Sequence, residues 1–294
     1  MPPPPAQTRD RDLIGRTFLV TGATSGVGRV TARVLAERGG RVFLGCRTRE
    51  KGEATIEALR AAAPGLALDL EPLACDFGDL PSVRAAAASF EAKGLPLDVL
   101  VNNAGVAGAR GLTASGVELM FGVNHLGPFL FTRLLEPSLR RGRAARVVNV
   151  ASAAHRRVDG IDFAALRRPT RTLTTVREYA VSKLCNILFS RELARRWSES
   201  GIATYAVHPG RVRTAIWRHA PAPVRWWARH RGSISEEEGA RTILYCATSA
   251  EVAGASGRYY ALEREAEPTA AARDDALAAR LWDESERLTG LASA

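Results

Sequence analysis

The chain has 294 residues, of which 46% are hydrophobic, and its formal net charge is +10. This length and apolar content predict one large α/β domain rather than two small ones. Of the 41 basic residues 38 are arginine, and they are scattered among acidic residues rather than clustered with aromatic ones. The composition therefore argues against a nucleic-acid-binding protein.

The N-terminal segment and the cysteines narrow the class of protein further. Residues 1–14 begin with MPPPPAQTRDRD, which is proline-rich and charged, so we expect a disordered tail and neither a signal peptide nor a membrane span. The domain is predicted to occupy residues 15–294. The four cysteines lie far apart and no histidine pair has metal-ligand spacing, so we expect reduced thiols and no metal site. A cytoplasmic location is the default expectation.

A strand, a glycine-rich turn and a helix open the domain. The apolar run TFLVT at residues 17–21 predicts the strand, and VTARVLAERGG has helical spacing. Between them, GATSGVG permits a tight turn and the close approach of a ligand, and the N–H groups that start the helix suit a pyrophosphate. We expect Thr24 or Ser25 to cap that helix. The predicted cofactor contacts here are Gly22, Thr24, Ser25, Gly26, Val27 and Gly28.

The second strand, RVFLGC at residues 41–46, indicates which dinucleotide binds. NAD-specific folds place an acidic residue just after this strand, whereas this chain has Arg47, with Lys51 one turn into the next helix. Both side chains offer positive charge to a 2′-phosphate, which favours NADP(H); the alternative is a merely solvated arginine. After a third strand at residues 66–75, the carboxylate of Asp76 is placed to accept a hydrogen bond from an adenine amino group.

A fourth buried strand, LDVLVNNAG at residues 97–105, carries small and polar residues to the edge where a cofactor would lie. Asn103 and Gly105 are predicted cofactor contacts. A helix is predicted from about residue 113 to 140, with Asn124 in its middle. Asparagine prefers caps and turns, and such a misfit is typical of a functional position.

The candidate reaction chemistry follows the fifth strand. That strand, at residues 145–152, ends on Ser152, and the irregular residues 153–177 are expected to lie near the substrate. Next, EYAVSKLCNILF places Tyr179 and Lys183 four apart, on one helix face. An ammonium ~5 Å from a phenol stabilises the phenolate by ~3 kcal/mol at an effective dielectric of ~20, which suits acid/base catalysis. The alternative is an ordinary half-buried tyrosine beside a solvated lysine.

The remaining elements complete the predicted sheet. A sixth strand at residues 202–207 leads to a turn whose backbone suits a carboxamide, and a helix, a seventh strand and a C-terminal helix follow. Residues 211–233 mix tryptophans with arginines and prolines, which favours a lid over a lipophilic substrate. Weak contact of this lid with bilayers is a second hypothesis, and a plain packed helix is the alternative. The predicted cofactor contacts here are Pro209, Gly210, Val212 and Thr214.

Four motifs in this order, T-G-x-x-x-G-x-G, N-N-A-G, a strand-end serine and Y-x-x-x-K, resemble the short-chain dehydrogenase/reductase family over residues 15–262. The resemblance implies a Rossmann-type doubly wound parallel sheet of about seven strands, flanked by helices. It also implies that Tyr179 is the general acid/base, that Lys183 lowers its pKa and holds the nicotinamide ribose, and that Ser152 orients the substrate oxygen. By the same resemblance Asn124 anchors a proton-relay water. Family members are often dimers or tetramers, so a homo-oligomer is one expectation, although the sequence does not indicate the association surfaces.

Within that family, GCRTREKGE, NHLGPFLFT, YAVSKLCNILF and AVHPGRVRT are similar to the retinol dehydrogenase-like branch, as is the long interval between the serine and the tyrosine. This resemblance implies NADP(H)-dependent interconversion of an alcohol and an aldehyde or ketone, with a lipophilic, retinoid-like substrate. Two alternative functions are a catalytically silent NADP(H)-binding sensor or scaffold, and an enzyme similar to the protochlorophyllide reductases, which share several of these motifs.

Overall fold

The computed structural model describes residues 11–212 and 234–291. Within them, eight strands form one sheet in the order β3-β2-β1-β4-β5-β6-β7-β8, parallel through β7. The strands are β1 Thr17–Thr21, β2 Arg41–Cys46, β3 Leu70–Ala74, β4 Val99–Asn102, β5 Arg146–Val150, β6 Ala203–His208, β7 Arg258–Ala261 and β8 Arg264–Glu265. The doubly wound parallel sheet predicted from the sequence is therefore confirmed.

Helices cover both faces of this sheet. In the described residues they are α1 Gly26–Glu37, α2 Arg49–Ala62, α3 Leu80–Glu91, α4 Leu119–Phe121, α5 Gly127–Leu134, α6 Glu136–Arg141, α7 Val176–Arg196, α8 Glu236–Thr248 and α9 Asp275–Thr289. β1 and β5 are buried at every position, as expected for central strands that are covered on both faces. None of the helices described is both long enough and apolar enough to cross a bilayer.

Several details of the sheet and of the domain limits differ from the sequence predictions. The sheet has an eighth strand because Leu262 and Glu263 adopt positive φ angles and fold β8 back, antiparallel, onto β7. The third strand is shorter than predicted, at Leu70–Ala74. The domain also begins before residue 15, because the Leu13 side chain is buried and its N–H donates to the Arg38 carbonyl.

The predicted helix over residues 113–140 is wrong as a single element. It starts late, because Leu112 and Glu118 pair in an isolated β-bridge. Between α4 and α5 the chain forms a π-helical turn, Gly122–Leu126, and α5 ends just before α6, which has Pro137 in its first turn. A proline has no N–H and fits only the first turn of a helix, which explains the second break. The π-turn contains Asn124, the residue that the sequence marked as a misfit.

The order of the strands determines where a ligand can bind. β1 lies between β2 and β4, so the connections turn to opposite sides of the sheet at this point. In such sheets ligands bind at the carboxyl ends of the strands beside the reversal. The glycine-rich turn follows β1, the Asn103 segment follows β4, and Ser152 follows β5, so all three reach this edge.

Candidate active site

The glycine-rich turn after β1 allows other atoms to approach its backbone closely. Gly22 and Gly26 have φ angles of +66° and +59°, which non-glycine residues rarely adopt. At Gly28 a Cβ atom would lie 2.3 Å from Asn103 Nδ2 and 2.5 Å from the Gly22 carbonyl oxygen. Asn103 Nδ2 donates to the Thr21 carbonyl at 2.8 Å, so the segment after β4 supports this turn.

The N-terminus of α1 fits an anionic ligand. Ser25 is the N-cap residue, but contrary to the sequence expectation its side chain makes no capping hydrogen bond, and the first turn of α1 contains no acidic residue. The N–H groups that begin a helix carry its positive dipole end and suit a phosphate. Thr24 is half-buried beside them, and the Val27 side chain packs into the hydrophobic core, so Val27 would meet a ligand through its backbone.

The structure brings Arg47 and Asp76 together. They follow β2 and β3, and Arg47 Nε lies 3.6 Å from Asp76 Oδ2, with both side chains about half exposed. Lys51 is exposed in the first turn of α2, where its N–H donates to the Thr48 cap. The side chains predicted to contact the ribose phosphate and the adenine therefore form one ion pair, which solvent screens.

Ser152, Tyr179 and Lys183 lie together at the carboxyl end of β5. The Ser152 hydroxyl hydrogen-bonds the Tyr179 phenol and accepts from the Ala154 N–H at 3.2 Å. Lys183 Nζ lies 5.7 Å from the centre of the Tyr179 ring and donates to the Val150 carbonyl at 2.7 Å. Both Tyr179 and Lys183 are buried on the inner face of α7, so the interpretation of an ordinary solvated lysine is wrong.

Burial controls the acid/base properties of this pair. It raises the pKa of Tyr179 to about 12, while the hydrogen bond from Ser152 acts in the opposite direction. It lowers the pKa of Lys183 to about 8. Burial is the larger of the two effects on the Tyr179 pKa, because removal of the phenolate from water disfavours the ionised phenol.

The Asn124 side chain connects three segments of the chain at this site. Its Oδ1 accepts from the Val106 N–H at 2.8 Å, and its Nδ2 donates to the Val106 carbonyl and to Ser182 Oγ, each at 3.0 Å. The side chain thereby ties the π-turn to α7 and to the segment after β4. Gly105 in that segment allows close packing, since a Cβ there would lie 3.2 Å from Asn124 Oδ1 and 3.8 Å from Lys183 Nζ.

The turn after β6 forms another wall of the site. Gly210 has a φ angle of +88°, and Val212 pairs in a parallel bridge with Ile234. The Val212 side chain packs on Gly239 in α8, where a Cβ would approach it to 2.4 Å. Pro209 is half-buried between β6 and this turn. Thr214 and residues 213–233 of the predicted lid lie outside the described residues.

Two groups near the site were not identified from the sequence. His155 donates from ring Nδ1 to the Ser152 carbonyl at 2.7 Å. Glu118, buried in front of α4, accepts from Thr170 Oγ1 at 2.6 Å and so attaches the irregular segment after Ser152 to this part of the fold. Burial raises the pKa of Glu118. For His155 the sequence offered its three-residue spacing from Ser152. That spacing brings the two residues together only because the chain forms a 3₁₀ turn after β5.

Comparisons with known proteins show the family of this chain. The family described as short chain dehydrogenase matches residues 16–165. Dehydrogenase/reductase SDR family member 13 from Bos taurus is 43% identical over 95% of this chain and 74% of its own length. Human retinol dehydrogenase 11 is 40% identical over 95% of this chain and 87% of its own.

A solved structure of an uncharacterized protein from Mycobacterium paratuberculosis superposes with a TM-score of 0.74, at 34% identity over 95% of this chain and 96% of that one. The chain belongs to the short-chain dehydrogenase/reductase family. Within the family it is retinol dehydrogenase-like. It is therefore an oxidoreductase of the class that acts on alcohol and carbonyl groups with a nicotinamide cofactor. The glycine turn and the α1 N-terminus fit such a dinucleotide.

Proposed function

We propose that this protein is an NADP(H)-dependent reductase that converts an apolar aldehyde or ketone to its alcohol, and that Tyr179 is the general acid. The observation that carries the proposal is the grouping of Ser152, Tyr179 and Lys183 at the carboxyl end of β5. A serine hydroxyl, a phenol and a buried ammonium around one point are suited to a substrate oxygen that gains and loses a proton.

The protonation state of the tyrosine suits the role of general acid in a reduction. With a pKa of about 12, the phenol keeps its proton at neutral pH and can donate it to the oxygen of a carbonyl that is being reduced. The Ser152 hydroxyl, held by the Ala154 N–H, is placed to orient that oxygen. When bound, the nicotinamide supplies the hydride. Lys183, already buried beside the phenol, would hold the nicotinamide ribose and stabilise the phenolate that remains.

An apolar substrate is supported by the surroundings of the phenol. Tyr179 packs in a small cluster with Ala107 and Met120, and the half-buried Val106 and Ala154 border it. The half-buried Val106 and Ala154 side chains offer no hydrogen bonds, so a polar substrate that lies against them would lose its hydration without compensation. The names of the retinol dehydrogenase relatives are consistent with a lipophilic alcohol or carbonyl.

The preference for NADP(H) is supported by charge after β2. Arg47 stands where an NAD-specific site would need a carboxylate, and Lys51 is exposed one turn away. Asp76 offsets part of the positive charge of Arg47. A 2′-phosphate carries more charge than one carboxylate, so it is expected to compete successfully for the guanidinium.

The decisive experiment is NADPH oxidation by the purified protein against a panel of aldehydes and ketones that runs from small polar compounds to retinal. Tyr179→Phe serves as the control, since it removes the proton donor and keeps the ring. We expect turnover of the apolar carbonyls and a loss of roughly 10³-fold in kcat in the variant, because a positioned general acid contributes about 10² to 10⁴.

NADPH binding, measured by the fluorescence of the bound cofactor, should be similar in the two proteins. Equal turnover by the wild type and by Tyr179→Phe would contradict the proposed role of the tyrosine. Tight NADPH binding without turnover of any carbonyl in the panel would favour the sensor or scaffold instead. Preferential turnover of the small polar carbonyls would contradict the proposed substrate class.

A further inference from the structure

The carbonyl of Ser152 receives two hydrogen bonds from one residue. The His155 main-chain N–H donates to it at 3.2 Å, and the His155 ring donates to it from Nδ1 at 2.7 Å. The second bond is the shorter one, and it comes from a side chain that is fully buried. The peptide group on the carboxyl side of Ser152 is therefore held by the imidazole as well as by the turn.

The other ring nitrogen of His155 is also engaged. Its Nε2 accepts from the Thr269 N–H at 3.4 Å, and the neighbouring Arg156 donates to the Glu267 carbonyl at 2.6 Å. A carbonyl can only accept and a backbone N–H can only donate, so these partners fix the tautomer with the proton on Nδ1. Burial lowers the pKa of His155, which keeps this neutral tautomer in place. The ring thereby links Ser152 to the segment after β8.

The position of the Ser152 peptide controls the position of its hydroxyl. Ser152 is extended, with φ −162° and ψ 153°, and begins the 3₁₀ turn Ala153–Arg157. Its Oγ accepts from the Ala154 N–H within that turn, and its hydroxyl reaches the Tyr179 phenol. A shift of the turn would move the carbonyl, the Ala154 N–H and the hydroxyl together. Displacements of about 1 Å in a reacting group cost up to about 10²-fold in rate.

We propose that His155 is a positioning residue for the reaction: by holding the Ser152 carbonyl against the segment that contains Thr269, it sets the direction of the Ser152 hydroxyl toward Tyr179 and the substrate oxygen. The inference rests on the proposed function, because it assigns a partner to the serine of that site. His155 itself touches neither the phenol nor the substrate oxygen in this assignment. Its effect reaches the reaction only through Ser152.

Two conservative substitutions separate the two hydrogen bonds of the ring. Asparagine at position 155 places a donor where Nδ1 is and loses the contact with Thr269, whereas glutamine places an acceptor where Nε2 is and loses the contact with Ser152. With NADPH and the carbonyl that the wild type reduces fastest, we expect His155→Gln to lower kcat about ten-fold. We expect His155→Asn to stay within about three-fold of wild type, and both variants to keep the wild-type KM for NADPH.

A double-mutant cycle tests whether the effect passes through the serine. In a Ser152→Ala background, His155→Gln should lower kcat by less than about two-fold, because the hydroxyl that it misplaces is gone. A purely structural histidine would predict the same loss in both backgrounds and equal losses for the asparagine and glutamine variants, and either result overturns the inference. If His155→Gln does not fold, His155→Asn decides alone, and a ten-fold loss in it contradicts the assignment.

The assay of the wild type and of Tyr179→Phe separates failure of the proposed function from failure of the positioning role of His155. Turnover that survives in Tyr179→Phe, or no turnover at all, refutes the proposed function and the inference with it. Turnover that depends on Tyr179 together with wild-type kcat in His155→Gln refutes the inference alone.

Discussion

The amino and carboxyl edges of the parallel sheet differ in how buried ionisable groups are stabilised. At the amino edge, Asp98 accepts from the Thr17 N–H and the Arg143 N–H, each at 2.7 Å. There too the buried Arg146 donates to the Cys246 and Ser249 carbonyls at the end of α8. The charged groups of this edge satisfy the backbone ends of neighbouring elements, so they stabilise the fold.

At the carboxyl edge burial disfavours the ionised forms of the buried groups, and for Lys183, which is charged below pH 8, this costs stability. Burial moves the pKa of Tyr179 up and that of Lys183 down, which means that each ionised form is disfavoured there. Such shifts are typical of functional sites. Burial alone therefore does not identify a functional ionisable group. What distinguishes the two edges is whether hydrogen bonds from the fold compensate for the burial of the charge.

The largest effect is expected at the amino edge. Asp98→Ala leaves the Thr17 and Arg143 N–H groups without their acceptor, so the free energy of unfolding should fall by about 4 kcal/mol, measured by urea denaturation. Asp69→Ala is the matched control, because the Asp69 side chain forms an exposed ion pair with Arg41 at 3.6 Å, and its loss should cost less than about 1 kcal/mol. The kcat of folded Asp98→Ala should equal that of wild type; a clear loss of kcat would break the contrast between the edges.

The second effect concerns Lys183 and pH. Its folded pKa of about 8 lies below the ordinary lysine pKa of 10.5, so between these values this residue binds more protons in the unfolded chain and its contribution to stability rises with pH. The contribution of Lys183 should reach about 3 kcal/mol by pH 10.5, and below pH 8 its full penalty remains. The buried cysteines, whose thiol pKa values are raised, lower stability above pH 9, so the contribution is read as a difference between variants. Relative to Lys183→Met, both wild type and Lys93→Met, which removes a half-exposed lysine, should gain unfolding free energy between pH 8 and pH 10.5. If the unfolding free energy of Lys183→Met depends on pH in the same way as that of wild type, the burial of Lys183 is already compensated by the fold.

A third prediction addresses the close packing under the glycine turn. Gly28→Ala would push Asn103 and the Gly22 carbonyl apart, so it should cost about 2 kcal/mol of stability and weaken NADPH binding. Gly160→Ala is the control, since a Cβ there meets nothing within 4 Å. NADPH titration and thermal unfolding of both variants check the result. Wild-type binding by Gly28→Ala would show that a ligand does not need this approach.

The smallest effects are expected at the ion pair after β2 and β3. Arg47→Asp should shift the ratio of NADPH to NADH affinity toward NADH by roughly ten-fold, because it removes the partner of the phosphate. Asp76→Asn should shift the ratio toward NADPH by only about two-fold, because the pair is exposed. Asparagine keeps the acceptor for the Gly78 N–H, so the loop should persist. An unchanged ratio in Arg47→Asp would exclude the arginine as the selector.

Local patterns were sufficient for the sheet and for the face of α7. Alternation of apolar runs with glycine turns predicted the seven parallel strands, and four-residue spacing predicted that Tyr179 and Lys183 share one face of a helix. They were insufficient for the region after residue 113, where the π-turn depends on the bonds of Asn124 to Val106 and Ser182. Those partners are distant in sequence.

The sequence by itself determined the doubly wound fold, the family and the identities of the candidate catalytic residues, because these depend on spacing and on the order of motifs. Only the tertiary structure decided how those residues behave. The raised pKa of Tyr179, the pairing of Arg47 with Asp76 and the bond from His155 to Ser152 depend on burial and on contacts between separate elements. A one-dimensional pattern contains neither a dielectric environment nor a distance, so these properties appear only when the chain is folded.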